Sequence, residues 1–583
     1  MNETWLFYKA GFLFAQDSPN LWLRFIESFG KLVIIYKYIW KSRWLRGTCL
    51  LFYHQLGGEP FPMKLKKSGK PAARAAAVID IGSRIVKMRV AQLRHGEVQT
   101  VDQLRILLPL GHEVFHTGSI SFATTRTLSQ ILKGFSETLL GYGITQPKVV
   151  ATTALREAKN RTYVEDQLRV LGGIHVQVLE DDEEKTLIYY SMLSALQKTE
   201  TAANESALLT YIGTGSIGVA LYDGQQIIYS QHLPIGSLKL HDVFGGAQDD
   251  PGRFHVMIEE YLNNMLAPLT AFLQTENVKN LVLCGSEDGL IARLCHADNH
   301  HGCHWMKASK LQELYRTISP MTPEAIAERY DTSEDEAASI YSALAIYCRL
   351  HACVTSPVVI SPQVDLWDEL LRQMLMPKAK VAYEKHVQQS ALCCAGTLAR
   401  RFGCPQPHAE WVKNTLALLF DRTKSLHGLP DRTRLLLQLA ALLHDCGRYV
   451  DGGETFRTTY YLIRNFDLYG LTKREVNLVA LVSGYNEHSE PDFSEIKFAR
   501  ISAEERLIIS KCVALFRLAN ALDRSGLQKI HELKIKLDKE KLTFTGTGDD
   551  DMQLEKWAFS QCAGFFKEVF GIDPVFHVKL QML

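Results

Sequence analysis

The strongest pattern along the chain is a pair of short apolar runs broken by a glycine turn. AAVIDIGSRIVKMRVAQL (Ala76 to Leu93) predicts strand, tight turn, strand, with Asp80 at the end of the first strand and Gly82-Ser83 in the turn. LLTYIGTGSIGVALYDG (Leu208 to Gly224) has the same shape, with Gly213, Thr214, Gly215 and Ser216 in the turn. Asp-x-Gly-Ser turns are common hairpin punctuation. They also suit phosphate chemistry: the Asp carboxylate can hold a magnesium ion or a water, while turn N–H groups and the hydroxyl face phosphate oxygens. The repetition predicts two related α/β domains with a phosphate-binding cleft between them.

Between and after the hairpins the periods change. Phe122 to Tyr142 carries Leu128, Ile131, Leu132, Phe135 and Leu139 at helical spacing. KVVATTALREAKN (Lys148 to Asn160) reads as strand, Ala-Thr-Thr, then a helix with Arg156. A strand at His175 to Leu179 leads into the acidic run Glu180, Asp181, Asp182, Glu183 and Glu184, which opens the next helix. Acidic residues there suit simple capping; a general base is the alternative. In NLVLCGSEDGLIARL, Gly285-Ser286 ends a strand before a helix, where helix N–H groups can face a phosphate. From about Lys378 the pattern is nearly all helical, and the tail reads as hairpin, helix and strand. The expected domains are a first α/β domain at 74–200, a second at 205–376, a helical domain at 378–530 and a small α+β piece at 531–583.

Residues 1–62 stand apart. Trp5, Trp22, Trp40 and Trp44 all fall here, and the apolar run Leu32 to Trp40 is broken by Lys37 and flanked by basic residues. That run is far short of the ~20 residues of a spanning helix. The stretch is expected to be an aromatic and basic extension or a mis-set start, with Met63 as the natural one.

Composition adds bounds. A length of 583 residues predicts several domains. With 65 basic and 64 acidic residues the net charge is +1, so there is no global bias toward nucleic acid and a polyanion site must be local. The 12 cysteines contain no C-x-x-C pair and lie in apolar segments, as in a reduced, cytoplasmic protein. The His and Cys cluster at 295–304 matches no standard zinc spacing and reads as a polar loop.

VIDIGSRIVKMRV, ATTALREAKNR, VLEDDEEKTLIY, YIGTGSIGVALY and HLPIGSLKL together resemble the exopolyphosphatase/guanosine pentaphosphate phosphohydrolase (Ppx/GppA) family. The resemblance implies two actin-like (ribonuclease H-like) α/β domains, followed in long members by an HD-type helical bundle and a small α+β domain. It implies Mg²⁺-assisted release of terminal phosphate from polyphosphate or pppGpp. Carried over, Asp80 would bind metal or water, and Glu183 or Glu184 would be the base. Gly82, Ser83, Arg84, Arg156, Gly213, Thr214, Gly215 and Ser216 would line the phosphate site, Arg156 either touching phosphate or bracing the cleft.

His408, His444, Asp445 and Asp523 resemble a degenerate HD metal set, with Asn486 and Asn520 where His and Asp are expected. The cleft motifs depart as well. Arg84 replaces an Asn, Glu180-Asp181 replace Ser-Gly, Tyr211 replaces an Asp, Thr214 a Gly, Ile217 a Thr and Gly218 a Glu. Two carboxylates expected around the metal and water are thus absent. Three functions follow: a phosphohydrolase of weakened activity, a catalytically impaired binder of polyphosphate or guanosine penta- or tetraphosphate, and, least favoured, a sugar or acetate kinase. No nucleic-acid partner is expected, nor a membrane unless residues 1–62 are real; homodimerisation stays open.

Overall fold

The protein is described by a computed structural model covering residues 75–199, 204–244, 251–354, 356–450, 455–485, 491, 501–549 and 551–580. The N-terminal extension and Asn486 lie outside the described residues.

Alternating and continuous apolar runs form two sheets. The first contains β1 (Ala75–Ile81), β2 (Ile85–Arg94), β3 (Glu97–Leu107), β4 (Lys148–Ala151) and β5 (Gln177–Val178), in the order β3-β2-β1-β4-β5. β1 is buried along almost its whole length, as a central strand covered on both faces must be. It runs antiparallel to β2 and parallel to β4. The second sheet contains β6 (Ala207–Ile212), β7 (Ile217–Tyr222), β8 (Ile227–Leu233), β9 (Asn280–Gly285), β10 (Asp298–His300), β11 (Cys303–Lys307) and β12 (Val358–Ser361). Its order, β10-β11-β12-β9-β6-β7-β8, repeats the first sheet in β8-β7-β6-β9-β12 and adds an antiparallel edge pair. Pairing directions repeat too: β6 is antiparallel to β7 and parallel to β9. The two similar hairpins therefore occupy equivalent places in two equivalent sheets.

The helix Asp181–Leu196 packs between the sheets. Leu187, Ile188, Tyr189 and Met192 join a core with Ala76 and Val78 of the first sheet and Leu209 and Ala220 of the second. The helix Leu366–Leu375, which follows the second sheet in the chain, packs in the same core through Leu366, Trp367, Leu370 and Leu371. Lys87 and Arg89, alternate residues of β2, lie over the Trp367 ring at 4.9 and 4.1 Å. Lys87 Nζ also donates to Asp365 Oδ2 at 3.0 Å, at the N-terminus of that helix.

The described residues between Pro377 and Ala521 are mostly helical, and β13 (Glu532–Leu537), β14 (Lys541–Gly548) and β15 (Asp573–Leu580) form a third sheet. Leu542 and Phe544, on one face of β14, share a single core with Leu416, Leu439, Leu515 and Phe566. The helical segment and the small α+β piece thus bury one common set of side chains. No helix among the described residues is long and apolar enough to cross a membrane.

Candidate functional site

Both hairpin turns lie at the ends of central strands. Asp80, near the end of β1, faces Lys87 across the pair with β2. Tyr211, near the end of β6, faces Gly218 on β7. The first turn is closed by Gly82 N–H to Ile85 O at 3.2 Å, and Ser83 O accepts from Gly111 N–H at 2.7 Å. The second is closed by Gly213 N–H to Ser216 O at 2.9 Å. A Cβ on Gly236 would lie 2.5 Å from the Thr214 carbonyl carbon and 2.6 Å from Gly215 N, so only glycine lets the Leu233–Gly236 segment lie on this turn.

Arg156 braces the cleft. Its guanidinium donates to Leu179 O at 2.8 Å, Glu184 Oε2 at 3.0 Å, Thr153 Oγ1 at 3.1 Å and Asp181 Oδ1 at 3.1 Å. Glu184, buried, also accepts from the Tyr211 hydroxyl at 3.2 Å. Burial pushes the Glu184 carboxyl up against the pull of Arg156, and burial holds the Tyr211 phenol protonated. Glu183 turns the other way: it accepts from Glu180 N–H at 3.1 Å in a capping box, the role its place at a helix start suits.

Asp181, which the sequence marks only as a departure, is the most connected carboxylate here. Oδ1 accepts from Arg156 and from Ser216 Oγ at 3.0 Å; Oδ2 meets Lys185 Nζ and His232 Nδ1, the latter at 2.6 Å. Burial works to raise its pKa, but the His232 hydrogen bond, Lys185 and Arg156 together hold it well below the usual carboxylate range. Lys185 Nζ also reaches the Ile217 carbonyl at 3.4 Å and contacts His232 Nδ1. A Cβ on Gly218 would lie 2.7 Å from Lys185 Cδ and 2.9 Å from Cε, and would overlap the Tyr189 hydroxyl. The space opposite Tyr211 is therefore filled by Lys185 and Tyr189.

Arg84 is directed to the other sheet's helices. It donates to Ser339 Oγ at 3.1 Å and lies 3.9 Å from Glu287 Oε1. Glu287 is buried with Oε2 unbonded, and burial lifts its carboxyl to about 7. Asp80 Oδ1 and Ser83 Oγ are likewise buried without a hydrogen-bond partner.

These residues test the fit of a magnesium ion. Such an ion takes anionic oxygens, usually one or two carboxylates with substrate phosphate and water. Both oxygens of Glu184 and both of Asp181 already meet protein donors, and Tyr211 keeps its proton. Asp80 Oδ1 and Glu287 Oε2 remain, each on a carboxyl that burial lifts to about 7. Glu184, Asp181 and Tyr211 thus offer a magnesium ion no unengaged oxygen.

The same burial gives a pH prediction. Below the unfolded pKa, about 4, both states hold the Asp80 proton and the group costs nothing. As pH rises toward 7 the unfolded chain ionises first, so stability is lost, and the loss levels off above the folded pKa. Asp80→Asn is expected to leave stability unchanged near pH 4 and to raise it by about 1–3 kcal/mol near pH 8. Guanidinium melts at the two pH values check this; an equal change at both would contradict it.

In the helical segment, His408, His444 and Asp445 come together, with one ligand atom from each within 4.8 Å of the others. They form the one such group among the described residues; the His and Cys loop at 295–304 does not gather. Asp523 stands behind His408, 2.8 Å from its Nδ1, while Asn520 Oδ1 lies 3.1 Å from Nε2.

Comparison with known proteins covers two long stretches of the chain. A family model described as Ppx/GppA phosphatase family matches residues 89–364, and one described as Ppx/GppA phosphatase, domain III, matches residues 393–561. The chain belongs to the Ppx/GppA family. The first match spans most of both sheets, and the second spans the helical segment and reaches into the third sheet. Among solved structures, the Aquifex aeolicus Ppx/GppA member is 20% identical with a TM-score of 0.45, covering 52% of this chain and 98% of its own. An exopolyphosphatase from Cytophaga hutchinsonii is 19% identical with a TM-score of 0.47, again covering 52% and 98%. Asp181, Lys185, His232 and Glu287 are the site residues that motif reading passed over. The signal for Asp181 and Lys185 was an i, i+4 acid–base pair on a helix facing the hairpin.

Proposed function

We propose that this Ppx/GppA member binds a phosphate-chain anion in the cleft between its two α/β sheets, with hydrolysis impaired. The ligand class is inorganic polyphosphate or a guanosine penta- or tetraphosphate. One observation carries the reading: the carboxylates able to activate a water, Glu184 and Asp181, spend all four oxygens on protein donors. Phosphoryl transfer depends on positioning and on neutralising charge at the transferred group, and a carboxylate whose two oxygens are engaged by Arg156 and Tyr211 is poorly placed to orient a water. The anion would meet the turns at Gly82-Ser83 and Gly213–Ser216, with Ser83 Oγ and Asp80 Oδ1 as the unspent side-chain atoms.

The test offers long-chain polyphosphate and pppGpp separately to the full chain with Mg²⁺, measuring phosphate release and binding. Binding without release is the expected result. Release that disappears in Asp80→Ala would establish a hydrolase instead.

A second site is inferred in the helical segment. His444 Nδ1 donates to Ala441 O at 2.7 Å, and its Nε2 is turned toward Asp445, 3.5 Å from Oδ2. Both carboxylate oxygens of Asp445 are buried without a hydrogen bond, although Arg448 Nε lies 3.2 Å from Oδ1. His408, oriented by Asp523 at Nδ1, adds a second imidazole, whose Nε2 a metal would take over from Asn520 Oδ1, 3.1 Å away. This set fits a transition-metal cation. After chelation, added Zn²⁺ or Mn²⁺ is expected to stabilise the chain by about 2–4 kcal/mol at saturating excess, and His444→Ala to remove the effect. A thermal shift unaffected by His444→Ala would exclude the site.

A further inference from the structure

Tyr211 and Gly218 are direct cross-strand partners at the end of the second hairpin, so their side-chain positions share one face. The family resemblance places a carboxylate at each. Here the first is a protonated phenol bonded to Glu184, and the second is a glycine whose side-chain space holds the stem of Lys185. Two carboxylates expected around a cation have gone from the hairpin, and the helix Asp181–Leu196 brings in the Lys185 ammonium together with Asp181, the carboxylate it pairs with. The Lys185 side chain is about one-twentieth exposed. Its ammonium contacts a carboxylate (Asp181), a carbonyl (Ile217) and an imidazole (His232). Asp181 comes from the helix at the first sheet's end, whereas Ile217 and His232 belong to the second sheet. Ser216 Oγ completes the bridge by bonding Asp181.

We propose that the Lys185 ammonium is the resident cation of this cleft: it joins the two α/β halves, so that the cleft takes a phosphate-chain anion with no divalent metal. The proposal rests on the binding function inferred above and specifies how that site works. A divalent ion would need carboxylates from both halves, and Tyr211 and Gly218 supply none from the second. Lys185 links the halves with a covalently attached charge, and the turn N–H groups are left to meet phosphate oxygens.

The probe is inorganic tripolyphosphate, titrated calorimetrically into the full chain in EDTA and again in Mg²⁺. Binding in EDTA at least as tight as in Mg²⁺ is expected. Lys185→Met is expected to weaken binding in EDTA about tenfold or more. In Lys185→Ala/Gly218→Glu, which returns a carboxylate and clears its space, binding is expected to become Mg²⁺-dependent. The wild-type comparison needs no variant, so a misfolded Lys185→Met leaves the test intact. Tripolyphosphate binding that requires Mg²⁺ in the wild type would overturn the proposal while leaving the binding function standing. An affinity unchanged in folded Lys185→Met would overturn it as well. Absence of binding in both buffers would remove the binding function and this proposal together.

Discussion

Arg156→Ala is expected to destabilise the protein by about 3–5 kcal/mol, the cost of breaking a buried ion pair by deleting one partner. Arg156 is the cation that Glu184 and Asp181 share, and it also satisfies the Leu179 carbonyl and the Thr153 hydroxyl. Its side chain is about one-tenth exposed, so water does not replace what is lost. Asp181 would keep Lys185, His232 and Ser216, but Glu184 would keep only the weaker Tyr211 hydrogen bond among the contacts described. Adding Glu184→Gln removes the stranded charge, so the double variant is expected to recover part of the loss, with a coupling of about 1–3 kcal/mol. Arg156→Lys is expected to rescue poorly, because one ammonium does not reproduce a planar fork with four acceptors in place. Urea unfolding of the wild type, Arg156→Ala, Glu184→Gln, the double variant and Arg156→Lys measures all of this. A loss under about 1 kcal/mol for Arg156→Ala would show that the network is surface-like in strength.

Gly218→Glu, which restores a family carboxylate, is expected to destabilise the chain by about 2–4 kcal/mol and to restore no phosphate release. Even a methyl group at this position overlaps the Tyr189 hydroxyl and crowds the Lys185 stem. Overpacking of this kind costs about 1–3 kcal/mol. Tyr189 is 1% exposed and stands in the core between the sheets, so it has nowhere to move. The longer side chain would also carry a charge toward Asp181, although Lys185 would offset part of that cost. Gly218→Ala isolates the steric part. Lys185→Ala in the Gly218→Glu background is expected to recover stability, because the two positions compete for one volume. Thermal melts of the three variants decide this, and a neutral Gly218→Glu would show that Lys185 swings aside freely.

Local patterns were enough for the elements. The apolar runs at Val78 to Ile81 and Leu208 to Ile212 became central strands because β-branched and aliphatic residues suit strands buried on both faces. Leu128, Leu132, Phe135 and Leu139 became the buried face of the helix Phe122–Leu140. The acidic run became a helix start, with Glu180 and Glu183 in a capping box, as its composition favours. The doubled hairpin also announced the doubled sheet order, since each hairpin encodes its own antiparallel pair locally.

Pairing between distant segments was not legible in this way. The helix Leu366–Leu375 follows the second sheet in the chain yet packs with β1 and β2, where Trp367 stacks beneath Lys87 and Arg89. Spacing along the chain carries no information about such a return. The same holds for His408 and Asp445, which lie on separate elements and meet only when those elements pack.

By itself the sequence determined the strands, the two glycine turns and the family. Each of these is a property of a short window or of similarity to other chains. Only the tertiary structure decided what replaced the missing residues. Gly218 looks like a simple loss until the hairpin docks on the helix Asp181–Leu196 and Lys185 fills its space. Asp181 looks like a helix cap until Arg156, Ser216 and His232 converge on it from other elements. The physical reason is that charge compensation and steric exclusion act through space over a few ångströms, between residues the chain separates by tens of positions.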